Sequence, residues 1–145
     1  MQKTVLLIGS QDTKGPDIEF IKERLYDLGI AVIVIDTSVM GGHSYPRDIL
    51  PETIARAGGA ELGELKKLDR GSALEVMRRG LVGVVQDLFE EGRADGVMGI
   101  GGGAGTSVIT AAMRALPLGV PKVMLSTLAS GETSQYIREK DIIMI

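Results

Sequence analysis

Short apolar runs alternate with longer amphipathic segments along this chain. Four of the runs are continuous and rich in β-branched residues, as expected of strands that are buried on both faces of a sheet. They span residues 4–9, 31–36, 96–101 and 122–127, and a fifth strand starts in the run 141–145. The apolar pattern therefore predicts a central sheet of buried strands.

Between these runs, apolar residues recur at helical spacing and mark three helix faces. The three sets are Ile18, Ile21, Leu25 and Leu28; Leu74, Met77, Leu81, Val84 and Leu88; and Val108, Ala112 and Leu116. The first helix is expected to begin near Pro16 and the third near Thr106. The stretch 37–70 is rich in glycine and proline, which predicts a long excursion with one short helix at 51–57.

Alternation of strands and helices predicts parallel strands joined by right-handed crossovers. We therefore expect a doubly wound, Rossmann- or flavodoxin-like α/β domain, with strand order 2-1-3-4-5 and helices on both faces of the sheet. A chain of 145 residues with 44% hydrophobic residues suits one domain, here residues 1–145. The chain stops inside an apolar run, so we expect it to be the N-terminal part of a longer two-domain protein.

Charge and composition argue against some classes of binding partner. The chain has 16 basic and 19 acidic residues, and only 3% of its residues are aromatic, so nucleic acid is not an expected partner. The first apolar run is too short to span a membrane, and charged residues follow it where a signal peptide would have a cleavage site of small residues. This pattern favours a cytoplasmic protein without a membrane partner. We expect the domain to dock onto a C-terminal second domain or to form a homo-oligomer.

Polar and glycine-rich residues follow the carboxyl ends of the predicted strands. The sequences are GSQDTKG after the first strand, DTSVMGGH after the second, GGGAGTS after the third and STLASGE after the fourth. In a parallel sheet these ends share one rim, and ligands bind where the strand order reverses. The predicted order puts the first and third segments at that switch point, so that Lys14 faces the glycines.

The glycine segment does not fully match either of two well-known phosphate-binding motifs, the P-loop and the dinucleotide-binding pattern. A P-loop needs a lysine directly before the serine or threonine of its helix, and here Gly105 precedes Thr106. Gly99, Gly101 and Ala104 fit the dinucleotide pattern G-x-G-x-x-A, but the next strand ends without the acidic residue that binds ribose. A nicotinamide cofactor is therefore a weak interpretation.

Two explanations of these glycines remain open. Successive backbone amides turning into a helix form a concave nest that binds phosphate, aided by the positive end of the helix dipole. Alternatively, the glycines only allow a strand and a helix to pack closely. A nest predicts a positive φ for at least one of Gly101, Gly102, Gly103 and Gly105, and amides near Thr106 that point into open space.

Other rim residues have competing interpretations as well. Lys14 either neutralises a phosphate or is merely solvated. Asp12 either holds Mg²⁺ through water or caps the helix expected at Pro16, and Asp36 either binds a ribose hydroxyl or forms a turn. His43 is the only histidine and there are no cysteines, which excludes thiolate and multi-histidine metal sites; we expect His43 in a loop.

Four blocks carry a resemblance that covers nearly the whole chain. They are TVLLIGSQDTKGPDIEFIKERL, LDRGSALEVMRRG, GRADGVMGIGGGAGTSVITAAMRALPLGVPKVMLSTLASGE and the KDIIMI ending. The sequence resembles the N-terminal domain of a largely uncharacterised family that is named for the ATP-binding domain of the tomato mosaic virus resistance protein. In that family a second α/β domain follows this one.

The resemblance implies an ATP site, with Mg²⁺, built from three segments of the chain. The implied contacts are Asp12, Thr13 and Lys14; Gly101, Gly102, Gly103, Gly105 and Thr106; and Thr127, Ser130 and Gly131. Ala104 departs from the family pattern, in which we expect another glycine, and its methyl group would narrow the nest. The resemblance supplies no reaction and no catalytic residues.

Three hypotheses about function follow. The first is a nucleotide-dependent enzyme or regulatory module whose chemistry needs a C-terminal region. The second is a binding domain that uses ATP to stabilise a protein interface. The third is a sugar-phosphate or acyl-phosphate enzyme that uses the same glycine-rich segment.

Overall fold

A computed structural model describes residues 1–41 and 44–145 of the chain. In this part, five parallel strands form one sheet with the order β2-β1-β3-β4-β5, as predicted. The strands are β1 (Thr4–Gly9), β2 (Ala31–Asp36), β3 (Gly96–Gly101), β4 (Lys122–Ser126) and β5 (Ile143–Met144). The first three have the predicted bounds, and β4 ends one residue early.

Helices of the described residues flank the sheet. They are α1 (Gln11–Asp27), α2 (Pro51–Ala57), α3 (Leu62–Leu65), α4 (Arg70–Glu90), α5 (Gly103–Arg114) and α6 (Ser134–Ile137). The doubly wound α/β fold and the short helix at 51–57 are therefore confirmed. His43, which the sequence predicts to lie in a loop, is outside the described residues.

Side chains alternate between two apolar layers across the sheet. Leu6 and Ile8 point into the larger core, which α2, α4 and α5 cover. Leu7 and Val34 point the other way and pack with Ile18 of α1. The buried strands thus form the double-faced core that continuous apolar runs predict.

Helix α1 begins five residues earlier than Pro16, where the sequence placed its start. Its first amide, of Gln11, donates to the Asp36 carboxylate at 3.1 Å, and its second, of Asp12, donates to the Ser38 hydroxyl at 3.0 Å. These long-range acceptors replace a local cap, so the DTKG segment is helical rather than a loop. The predicted role of Asp12 as the cap of a helix at Pro16 is therefore wrong.

Helix α5 also begins earlier than predicted, at Gly103 instead of Thr106, with Gly102 as its N-cap. Gly101 is the last residue of β3. The glycine-rich segment is therefore a direct strand-to-helix junction and not a loop. None of its glycines has a positive φ, and that expectation is wrong.

Candidate functional site

The switch point of the sheet carries an open groove. Because β1 and β3 are adjacent parallel strands, the start of α1 and the start of α5 lie at the same rim. The groove has a volume of about 290 Å³ and is lined by Lys14, Asp17, Ile100, Gly101, Leu125, Ser126 and Thr127. The structure thus brings together one residue from each of the three segments that the sequence singled out.

The amides at the start of α5 are free. Within the described residues, the N–H groups of Gly103, Ala104 and Gly105 donate to no acceptor, whereas Thr106 N donates to Gly102 O at 2.8 Å. A Cβ atom built on Gly103 meets no atom within 4 Å, so the space in front of the helix is open. Free amides at a helix N-terminus attract anions.

The start of α1 differs, because its first amides are already bonded. Asp36 and Ser38 accept the amides of residues 11 and 12. The carbonyl of Ser10 accepts those of residues 13 and 14, at 3.1 and 2.8 Å. The backbone of the DTKG segment therefore has no amide left for a phosphate in its first turn.

The side chains of the DTKG segment differ in whether their polar groups already form hydrogen bonds. Asp12 Oδ1 accepts from Ser10 Oγ at 2.6 Å, and the Thr13 hydroxyl donates to Ser10 O at 3.3 Å. Lys14 is half-buried and forms no ion pair or hydrogen bond with any residue in the described ranges. Its ammonium group therefore remains available to bind a ligand in the groove.

The glycines at the junction divide into two kinds. A Cβ on Gly99 would lie 2.5 Å from Ile109 Cγ2, and one on Gly101 would lie 3.0 Å from Gly105 Cα. Both contacts are too close, so these two glycines let α5 pack against β3. Gly103 and Gly105 have no such contact. Each of the two explanations of the glycine segment therefore applies to part of it.

Thr106 lies beneath the rim and is fully buried. Its Oγ1 is 2.6 Å from the Oγ of Ser126, which also accepts the amide of Leu128 at 3.0 Å. This pair joins the start of α5 to the end of β4. The amide and hydroxyl of Thr106 both have internal partners, and its implied contact with nucleotide stays a prediction.

The third segment, after β4, is only partly in the groove. Thr127 is exposed and lines it, and Thr127 N donates to Gly101 O at 3.4 Å. Ser130 and Gly131 are exposed and are not part of the lining. The structure therefore brings Thr127 to the switch-point groove, whereas Ser130 and Gly131 do not line it.

Asp36 connects the segment after β2 to the start of α1 by hydrogen bonds. It is fully buried, and its Oδ1 accepts the amide of Gln11 and both the amide and the hydroxyl of Ser38, the last at 2.5 Å. Its Oδ2 is 3.5 Å from Arg47 Nη1. These contacts tie the segment after β2 to α1, which agrees with the interpretation of Asp36 as a turn residue.

Sequence reasoning missed two features of the rim. One is Asp17, which lies three residues after Lys14 on α1 and would have been found had the helix been started at Gln11. The other is an apolar cavity of about 70 Å³ lined by Thr37, Val39, Leu74, Met77, Ala104, Gly105 and Val108. Its lining comes from segments far apart in sequence, so no local pattern could indicate it.

Residues 3–145 match the N-terminal domain of the uncharacterised protein family UPF0261. The chain belongs to this family. A UPF0261 protein of Clostridium tetani is 44% identical over 146 residues, which cover 100% of this chain and 36% of the relative. A UPF0261 protein of Mesorhizobium japonicum is 41% identical, over 99% of this chain and 35% of the relative.

A plant relative is more distant. The ToMV resistance protein Tm-1 of Solanum lycopersicum is 31% identical over 157 residues, covering 97% of this chain and 21% of that protein. The chain therefore spans about a third of the bacterial relatives and about a fifth of the plant one. The resemblance seen in the sequence is confirmed at the level of the family, and ATP binding stays a prediction.

Among the described residues, no group of three or more histidine, cysteine, aspartate or glutamate side chains could hold a metal ion. No helix among those residues is long and apolar enough to cross a membrane.

Proposed function

We propose that this domain binds a purine nucleotide, ATP with Mg²⁺, at the switch-point groove. The observation that carries the proposal is that three free amides at the start of α5 lie at the same rim as the groove lined by Lys14, whose ammonium group has no hydrogen-bond or ion-pair partner among the described residues. Amides and an ammonium group are the donors that phosphate oxygens need. The family resemblance supports ATP as the phosphate-bearing ligand.

Magnesium would come with the nucleotide. In the described part of the chain no cluster of acidic side chains could hold the ion alone, so its ligands would be phosphate oxygens and water, as is common for Mg²⁺. Asp17 lines the groove and Asp12 lies at the start of the same helix. We expect these carboxylates to bind water on the ion rather than the ion itself.

The proposal predicts a ligand-dependent rise in thermal stability. ATP, ADP, NAD, acetyl phosphate and a sugar phosphate would be compared, each with and without Mg²⁺. A ligand at about 100 times its Kd adds about 2.7 kcal/mol to the free energy of unfolding, or about 5–10 °C in Tm for a chain of this size. A panel in which no nucleotide raises Tm would contradict the proposal.

Lys14→Ala tests the residue that contributes the charge. Loss of a hydrogen bond to a charged group should weaken ATP binding by about 1.5–3 kcal/mol in calorimetry. The Tm should change little, because Lys14 forms no hydrogen bond or ion pair within the described chain. Lys67→Ala removes an exposed lysine elsewhere and is the matched control. Equal ATP affinities for the two variants would show that Lys14 is only solvated.

The apolar cavity beside the amides favours a second candidate, an acyl phosphate. Ala104 and Gly105 line the cavity and also carry two of the free amides. Its volume of about 70 Å³ suits a compact apolar group attached to a phosphate. In the same panel, a larger Tm shift with acetyl phosphate than with ATP would favour this candidate. Whether the domain acts as an enzyme part or as an ATP-stabilised interface would then be tested with the full-length protein.

A further inference from the structure

A second groove lies far from the switch point. It has a volume of about 630 Å³ and is lined by Arg114, Arg138, Glu139 and Lys140. Arg114 is the last residue of α5, and the other three follow α6. Eleven residue rises of α5 separate Arg114 from Gly103, which is about 16 Å along the helix. A small ligand in one groove therefore does not reach the other.

The lining of this groove is mostly basic, although the net charge of the chain is −3. Within the described residues, none of Arg114, Arg138 and Lys140 has a carboxylate partner at ion-pair distance. Burial lowers the pKa of the Arg114 guanidinium, and the charges of Arg138 and Arg78 lower it further. The cations thus repel one another, and Glu139 is the acidic residue in the lining.

Contacts with backbone carbonyls use only part of these donors. Arg114 Nη1 donates to Tyr136 O at 2.5 Å and to the Thr110 hydroxyl at 3.3 Å. Arg138 Nε and Lys140 Nζ each donate to one backbone carbonyl, at 3.4 and 3.0 Å. Cations near the end of a helix also interact well with its dipole, which accounts for some of their placement. A guanidinium has five N–H donors and an ammonium group has three. Most of the donors around the groove are therefore available to an anion.

The backbone of Arg138 is strained. Its φ is 52° and its ψ is −125°, and among the described residues it is the non-glycine residue with a positive φ. Glycine adopts such a conformation without strain, whereas a residue with a Cβ does not. Strained residues cluster where a side chain must be presented to a ligand. Here the strained position carries a guanidinium that lines the groove.

We propose that this groove is a second anion site, which binds the phosphate group of a small phosphorylated molecule. Guanidinium groups match phosphate oxygens with paired hydrogen bonds, and two arginines line the groove. Its volume lies in the range of small-molecule pockets. A bound phosphate would also offset the repulsion between Arg114 and Arg138.

The test uses inorganic pyrophosphate as the probe and calorimetry as the measurement. It is done in the Lys14→Ala background, so that binding at the switch point does not obscure the result. Pyrophosphate should still bind, and adding Arg138→Gly should weaken it at least tenfold. Because glycine relieves the backbone strain, the Tm of this variant should stay the same or rise. A purely structural role of the Arg138 side chain would lower the Tm instead.

Further variants separate a specific site from general electrostatics. Arg138→Gln keeps the strained backbone and removes the charge, so it should lose affinity as Arg138→Gly does; it decides the question if the glycine variant does not fold. Arg138→Lys keeps the charge and loses the paired hydrogen bonds, so it should retain only part of the affinity, whereas Lys67→Ala should retain all of it. The proposal is overturned if Lys14→Ala alone abolishes pyrophosphate binding, if the Arg138 variants bind as the parent does, or if Lys67→Ala loses as much.

Discussion

Alanine substitutions at two glycines of the same junction should change stability in opposite directions. At Gly99, the added Cβ would lie 2.5 Å from Ile109 Cγ2 and 2.8 Å from Met124 Sδ. Both neighbours are fully buried, and a normal carbon contact is about 3.5–4.0 Å, so the core must shift by about 1 Å. We expect Gly99→Ala to lower the free energy of unfolding by about 1–3 kcal/mol.

Gly103→Ala is the matched substitution, four residues later. The new Cβ meets no atom within 4 Å, and φ is not positive there, so the methyl group adds no clash. Replacing glycine reduces the entropy of the unfolded chain, and we expect a change between zero and about 1 kcal/mol in favour of folding. The two variants should therefore differ by about 1–4 kcal/mol.

Urea denaturation followed by circular dichroism measures both values under one condition. Equal changes for the two variants would refute the division of the glycines into packing and open positions. The open position can then be tested for function with Gly103→Val, which should remain folded and lose ATP affinity because its side chain fills the space before the amides. A valine variant that binds ATP as well as the parent would leave these glycines with no role in phosphate binding.

Two further predictions concern stability. Hydrogen bonds from Lys122 and then from the Gly119 amide lower the pKa of the Asp141 carboxyl from 3.8 to about 2. The ionised carboxylate therefore stabilises the fold above pH 4, and this contribution is lost as the pH falls towards 2. Asp141→Asn should flatten that part of a stability-against-pH curve, and an unchanged slope would contradict the assignment. In α4, Gly80→Ala should destabilise because its Cβ would lie 1.8 Å from Ile54 O, whereas Gly83→Ala, with no atom within 4 Å, should stabilise by about 0.5–1 kcal/mol. Thermal melts of the pair test this, and destabilisation by both would contradict it.

The sequence alone determined the sheet. Continuous apolar runs marked β1, β2 and β3 to the residue, because strands that are buried on both faces consist mostly of apolar residues. The strand order 2-1-3-4-5 was expected because it is a usual order for this alternation of strands and helices, and that expectation needs no side-chain detail. The apolar runs and the expected strand order also placed Lys14 and the glycine segment at one rim.

Only the tertiary structure decided where the helices at that rim begin. The start of α1 depends on Asp36 and Ser38, which lie about 25 residues away in the chain. A local pattern could not indicate those acceptors, and Pro16 pointed to a later start. The consequence is chemical, because the amides of α1 are bonded and those of α5 are free.

The roles of single glycines and cations were likewise set by packing. Gly99 and Gly103 have the same identity and nearly the same place in sequence, yet Ile109 fills the space beside one and nothing fills the space beside the other. In the sequence, nothing distinguishes Arg138 from an ordinary surface arginine. Its backbone angles and its proximity to Arg114 are set by the tertiary structure. Sequence specifies which groups are present, whereas close packing between distant segments decides which of them remain free to bind a ligand.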